Sequence, residues 1–113
     1  MTPDPPDEPL PDLGSLREYF AGRLPDRLRE IDEAWQQVRE TAWGAEEVKL
    51  FHRLAHSLTG AGATFGFAAV TDAARDLERR LKPALHQEGP PVEPAEVDAL
   101  LAALRAAASS GAS

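Results

Sequence analysis

Apolar residues recur along this chain at the three- and four-residue steps of an α-helix. The most regular run is Leu24, Leu28, Ile31, Trp35, Val38 and Ala42, which advances by 4, 3, 4, 3 and 4. It predicts one amphipathic helix that opens around Pro25, a residue suited to a first helical turn. The same helix should stop near Gly44, a candidate C′ glycine. Upstream, Leu13, Leu16 and Phe20 predict a short separate helix over about residues 13–23. A third helix is expected from about Ala45 to Thr64, with Glu46 and Glu47 in the first turn, where the helix dipole favours anions. Gly66 is its stop signal. A fourth helix begins near Phe67 and turns Phe67, Val70, Ala74, Leu77, Leu81 and Leu85 inward, with a kink or early end at Pro83. Gly89, Pro90 and Pro91 make Gln87–Glu93 a loop, and Pro94 opens a fifth helix carrying Val97, Leu100, Leu101 and Leu104. Four amphipathic helices with short connections pack most simply as an antiparallel up-down four-helix bundle. The fold expected is therefore all-α, with the short additional N-terminal helix capping one end and the bundle spanning residues 13–108.

Composition supports the helical reading. Twenty of the 113 residues are Ala, the best helix former, and β-branched residues are few. Residues 1–12 hold five of the ten prolines and four acids, and read as a disordered or loosely docked tail. Ser109–Ser113 reads as a frayed end. The opening Met-Thr-Pro-Asp-Pro-Pro has neither the basic nor the apolar region of a secretory signal, and the expected location is the cytoplasm. No apolar run is long enough to span a membrane. Cysteine is absent, which excludes disulfides, thiolate metal sites and a cysteine nucleophile. Twelve Lys+Arg against 19 Asp+Glu leave a net charge of −7, an unsuitable balance for nucleic acid or anionic lipid.

The charge is distributed unevenly, and this directs attention to the third helix. No Asp or Glu occurs from Val48 to Thr71, where about four would fall at the chain's average density. Val48, Phe51, Leu54, Ala55, Leu58, Ala61, Gly62 and Phe65 cluster on one side of that helix. The other side carries Lys49, His52, Arg53, His56, Thr59, Gly60 and Ala63, with His56 roughly 150° from the apolar centre. An exposed histidine in a neutral-to-basic surround is thus expected. Gly60 follows one turn later, at a helix-interior position where glycine costs about 0.5–1 kcal/mol against alanine. A missing side chain there lets a large partner approach the ring; close packing against another helix would also explain Gly60 and Gly62.

Other chemistries fit poorly. His52 and His56 have a zinc-ligand spacing, but Arg53 stands where a zincin has Glu, His86 is the sole remaining His, and Lys49 and Arg53 repel a cation. No metal ligand is assigned. There is no P-loop and no nucleophile elbow, and Gly60, Gly62 and Gly66 follow no strand. Asp72, Asp76 and Glu78, with Arg75, Arg79 and Arg80, read as a solvated face of the fourth helix.

The run from Phe51 to Phe67 resembles the signature of histidine-containing phosphotransfer domains, roughly A-H-x-L-K-G-x-x-x-x-x-G. Ala55, His56, Leu58, Gly60 and Gly66 stand at the matching places. Leu24-Pro25-Asp26-Arg27-Leu28 is similar to the L-P-x-R-L that often opens the second helix of these domains. The resemblance covers about Leu13 to Leu85. It departs at Thr59, where the family usually has Lys.

The resemblance implies a four-helix bundle that relays phosphoryl groups between receiver-domain aspartates, or to and from a histidine kinase system, through phosphorylation of His56. Neutral imidazole suits the task, since histidine's reference pKa near 6.5 leaves it nucleophilic at neutral pH. Lys49, His52, Arg53, Thr59, Gly60 and Ala63 are the expected supporting and partner-binding residues. With Thr59 in place of Lys, charge compensation falls to Lys49, Arg53 or the partner. The implied partners are a response-regulator receiver domain, a hybrid histidine kinase, or both, with the chain a monomer by default. No cofactor is expected on this chain, because the receiver holds magnesium with its own carboxylates. The chain would be a phosphocarrier rather than an enzyme. The alternative is a helical adaptor of the same shape that no longer transfers phosphate.

Overall fold

A computed structural model describes residues 13–86 and 92–111. These residues form four helices: α1 (Leu13–Glu40), α2 (Ala45–Phe65), α3 (Ala68–Leu85) and α4 (Pro94–Gly111). Tight corners reverse the chain after α1 and α2, and the helices pack as an all-α antiparallel bundle with α2 and α3 in the most extensive contact. The tail expected over residues 1–12 and most of the expected loop, residues 87–91, lie outside the described residues.

The stripes read from the sequence meet in one core. Leu24, Ile31, Trp35 and Val38 of α1 pack with Val48, Phe51, Ala55 and Leu58 of α2, Val70, Ala74, Leu77 and Leu81 of α3, and Val97, Leu101 and Leu104 of α4. Trp35 stacks on Phe51 and meets Trp43 edge-on, each at 5.6 Å between centroids. Its indole N–H, which cannot be left unpaired in such a setting, donates to Asp98 Oδ1 across the α1–α4 seam at 2.9 Å.

Three expectations need correction. The short first helix is not separate: α1 runs unbroken for 28 residues with Pro25 inside it. Proline in a helix interior forfeits one backbone hydrogen bond, and tertiary contact outweighs that loss. Phe20 lies one turn before Leu24 on the same buried face, stacks on Phe65 at 5.0 Å and tilts against Phe67 at 5.1 Å. Arg17 Nε donates to the Phe65 carbonyl at 2.9 Å, and its guanidinium lies over the Phe67 ring. The first turns of α1 are thereby fastened to the α2–α3 corner, and a break at Pro25 would release them.

The second correction concerns the end of α1. Ala42 is not an inward residue and Gly44 is not the C′ glycine. Ala42 and Trp43 both take left-handed backbone, at φ 51° and 65°. Their N–H groups close the helix on the Arg39 and Val38 carbonyls, the paired bonds of a Schellman ending. Gly44, at φ −53° and ψ 139°, instead precedes the first turn of α2, and a side chain there would collide with Glu47 and Thr41. The third correction is at the C-terminus, where α4 continues through Ser109 and Ser110 to Gly111. Pro83 falls in the last turn of α3, which ends two residues later at Leu85.

Candidate functional site

The geometry of the site begins at the corner between α2 and α3. Gly66 has φ 79°, its N–H bonds the Ala63 carbonyl, and the Phe67 N–H bonds the Gly62 carbonyl at 2.8 Å. This too is a Schellman ending, here using glycine for the left-handed residue. Just beyond it the helices come very close. A Cβ on Gly62 would stand 2.6 Å from Thr71 Oγ1 and 3.3 Å from the Thr71 nitrogen, so Gly62 is required by packing. Gly60 differs: a Cβ there would meet nothing within 4 Å. The close-packing explanation holds for Gly62 and fails for Gly60.

With the corner so short, residues equally distant from it on α2 and α3 face each other. Phe51, Ala55, Leu58 and Gly62 are buried on α2, which turns His56 outward; its side chain is 71% exposed. His56 sits at the seam with α3, and its Nδ1 lies 2.6 Å from Glu78 Oε2. Glu78 is only 21% exposed and is not the solvated acid expected from its place on the fourth predicted helix. Burial works against its ionisation, but the hydrogen bond and charge of His56, with Thr59 also against the carboxylate, hold its pKa below the ordinary glutamate value. Thr59 itself donates its hydroxyl to the Ala55 carbonyl at 3.0 Å. A carboxylate only accepts hydrogen bonds, so the Glu78 contact places a proton on Nδ1 and leaves the lone pair on Nε2. Among the described residues, no hydrogen bond engages that nitrogen.

An open groove of about 430 Å³ runs beside the ring, lined by Lys49, His52, Arg53, His56, Glu78, Lys82 and Leu85. His52 is half-buried, its ring nearly parallel to that of His56 with centroids 6.4 Å apart. Its Nε2 is buried without a hydrogen-bond partner. Burial pushes the His52 pKa below the ordinary histidine value; Glu78 opposes the shift, while His56, His86 and Lys82 add to it. Among the described residues no group of three His, Asp or Glu side chains is placed to hold a metal ion.

Of the expected supporting residues, Lys49, His52 and Arg53 share this groove, and Thr59 reaches the site through Glu78. Gly60 is exposed one turn beyond His56. Ala63 lines a different depression nearer the corner, with Gly62, Gly66, Ala68, Thr71, Asp72 and Arg75. Glu78 and Lys82 are the residues that reading α2 alone misses. Counting outward from Phe67 along both helices brings Glu78 to His56 and Lys82 to His52.

The model of the Hpt domain matches residues 15–109, most of the chain. The chain belongs to the Hpt family. No curated protein and no solved structure matches it. Hpt domains are helical bundles that act as phosphocarriers in histidine phosphorelays and interact with receiver or kinase domains, so membership carries that general role here. Among the described residues of this Hpt domain, no helix is long and apolar enough to cross a membrane.

Proposed function

We propose that His56 is the phospho-accepting residue and that this Hpt domain passes a phosphoryl group between receiver-domain aspartates, or between a histidine kinase system and a receiver. The observation that carries the reading is the exposed His56 ring whose Nδ1 is engaged by Glu78 while Nε2 makes no hydrogen bond among the described residues. In the transfer step the Nε2 lone pair attacks the phosphorus of an aspartyl phosphate. An N–P bond forms, the P–O bond to the aspartate breaks, and the electron pair leaves with the carboxylate. The ring keeps its Nδ1 proton and becomes cationic, and Glu78 sits against that charge. The reverse step returns the group to another aspartate.

The surroundings suit this exchange. In-line attack needs space beyond the nitrogen, and the exposure of His56 provides it. Gly60 adds clearance at a position where no contact within the domain calls for glycine. The chain carries no P-loop, so the phosphoryl group would come from a phosphorylated partner. Receiver recognition, a monomeric state and a cytoplasmic location belong to the same reading.

The direct test incubates the chain with a phosphorylated receiver and follows acid-labile phosphate by phosphate-affinity electrophoresis. Wild type should take up the label, and His56→Gln should take up none while keeping its helical circular dichroism. Continued phosphorylation of His56→Gln would remove His56 from the role. A wild-type chain inert toward every cognate receiver and kinase would leave the adaptor alternative.

A further inference from the structure

We infer that the groove on the N-terminal side of His56 is an anion-binding site, formed by Arg53 and Lys82, that takes the dianionic phosphoryl group. The inference rests on the proposed role of His56 for the identity of the physiological ligand, but not for the existence of the site.

Six of the twelve Lys and Arg side chains pair with an acid, Arg17, Arg27 and Arg39 lie over aromatic rings, and Arg53, Arg79 and Lys82 have neither kind of partner among the described residues. Arg29, Arg75, Arg80 and Arg105 pair with Asp26, Asp72, Glu96 and Asp32 at 2.7–3.4 Å, and Lys49 with Glu46 at 3.6 Å. Arg53 and Lys82 make no ion pair among the described residues, and both line the His56 groove. Each lacks one for a definite reason. On α2 no acid lies within one turn of Arg53 in either direction. On α3, Glu78 precedes Lys82 by four residues, the favourable orientation for a helical ion pair. Its carboxylate turns to His56 Nδ1 instead.

The groove is therefore divided. Among the described residues Glu78 is the only acid lining it and holds the imidazole, while Arg53 and Lys82 stay uncompensated and Lys49 is weakly paired. His52 lines the same groove as a half-buried ring that burial disfavours from adding its own positive charge. An arginine fork and a mobile ammonium converging on a shallow groove suit a tetrahedral oxyanion. Because the same groove includes the His56 ring, a group joined to that ring lies within the field of both cations.

The test uses inorganic phosphate as the probe and the full chain at low ionic strength. Arginine side-chain and histidine ring signals would be followed by NMR as phosphate is added, with chloride at matched ionic strength as reference. Saturable shifts are expected at Arg53 and His52 in wild type and in His56→Gln. Affinity should fall roughly fivefold in Arg53→Ala and in Lys82→Ala, and increasing salt should weaken it further. Arg79→Ala, a cation on α3 outside the groove, should leave it unchanged. Linear, non-saturating shifts, or equal affinity in Arg53→Ala and Lys82→Ala, would overturn the site. Transfer from a phosphorylated receiver is the second readout. Normal transfer in Arg53→Ala/Lys82→Ala with no phosphate binding in wild type refutes the groove and keeps the role of His56. Saturable binding at the groove with no transfer to His56 supports the site and refutes the role.

Discussion

Removing the Glu78 carboxylate is the perturbation that most directly probes the chemistry of this site. In Glu78→Ala the His56 ring loses the acceptor that holds its Nδ1 proton and orients its plane. A charged contact of this length would be worth several kcal/mol at a protein surface of effective dielectric about 20. His56 is 71% exposed, however, and solvent screens most of that, so about 1 kcal/mol is a suitable expectation. The ring is more cationic after accepting a phosphoryl group than before, so the loss falls mainly on the phosphorylated state. About 1 kcal/mol corresponds to roughly a fivefold shift of the transfer equilibrium toward the receiver. The assay mixes phosphorylated receiver with the variant and measures both the equilibrium partition of phosphate and its rate of approach. Nitrogen-15 NMR of the histidine ring would show the tautomer, with Nδ1–H favoured in wild type and that preference weakened in the variant. The pH dependence has a definite sign. Because the folded-state pKa of Glu78 is lowered, its stabilising contribution is fully present above the unfolded value, near 4.5. It is lost as pH falls through the folded value. Glu78→Ala should thus flatten the acid limb of thermal stability below about pH 4.5, its loss of stability being largest in the neutral region and fading as pH falls. A variant that partitions phosphate as wild type does, with the His56 tautomer unaltered, would refute the reasoning.

Substitutions at three further positions separate space from strain. Gly60→Ala should stabilise the domain by about 0.5–1 kcal/mol, seen as a higher melting temperature, whereas Gly60→Gln should keep the fold and obstruct transfer; unimpeded transfer would count against close approach at this turn. Gly62→Ala should destabilise by about 1–3 kcal/mol through overpacking against Thr71, measured by urea unfolding, and an unchanged midpoint would contradict the packing described. Ala42→Gly should relieve left-handed strain and stabilise by about 0.5–1 kcal/mol, and a loss of stability would show that the corner is not strained there.

The helical periodicity made the bundle legible, because each helix buries one stripe and the stripes are nearly complete in the sequence. His56 was legible for the complementary reason: its distance from the apolar centre of α2 is a property of one helix. Features that depend on two elements were not. Pro25 read locally as a helix start, but the docking of Phe20 and Arg17 on the α2–α3 corner keeps the helix continuous. Gly44 read as a left-handed residue, yet Ala42 and Trp43 take that conformation, with the Trp43 ring against Trp35. Glu78 read as solvated because its partner lies on another helix. The acid-free stretch on α2 is real in the sequence, but α3 brings a carboxylate to it.

The two-residue corner at Gly66 and Phe67 has a consequence for how this domain comes into being. His56, Glu78, Arg53 and Lys82 all belong to the hairpin that it joins, so the site is assembled from contacts close along the chain. Local contacts carry a small loop-closure cost and form readily during folding. The remaining helices cover this hairpin without supplying a side chain to its groove. Substitutions in α1 and α4 therefore reach the groove only through packing. An insertion of a single residue within either arm, between the corner and His56 or Glu78, would rotate the residues beyond it by about 100° and part His56 from Glu78 at a stroke.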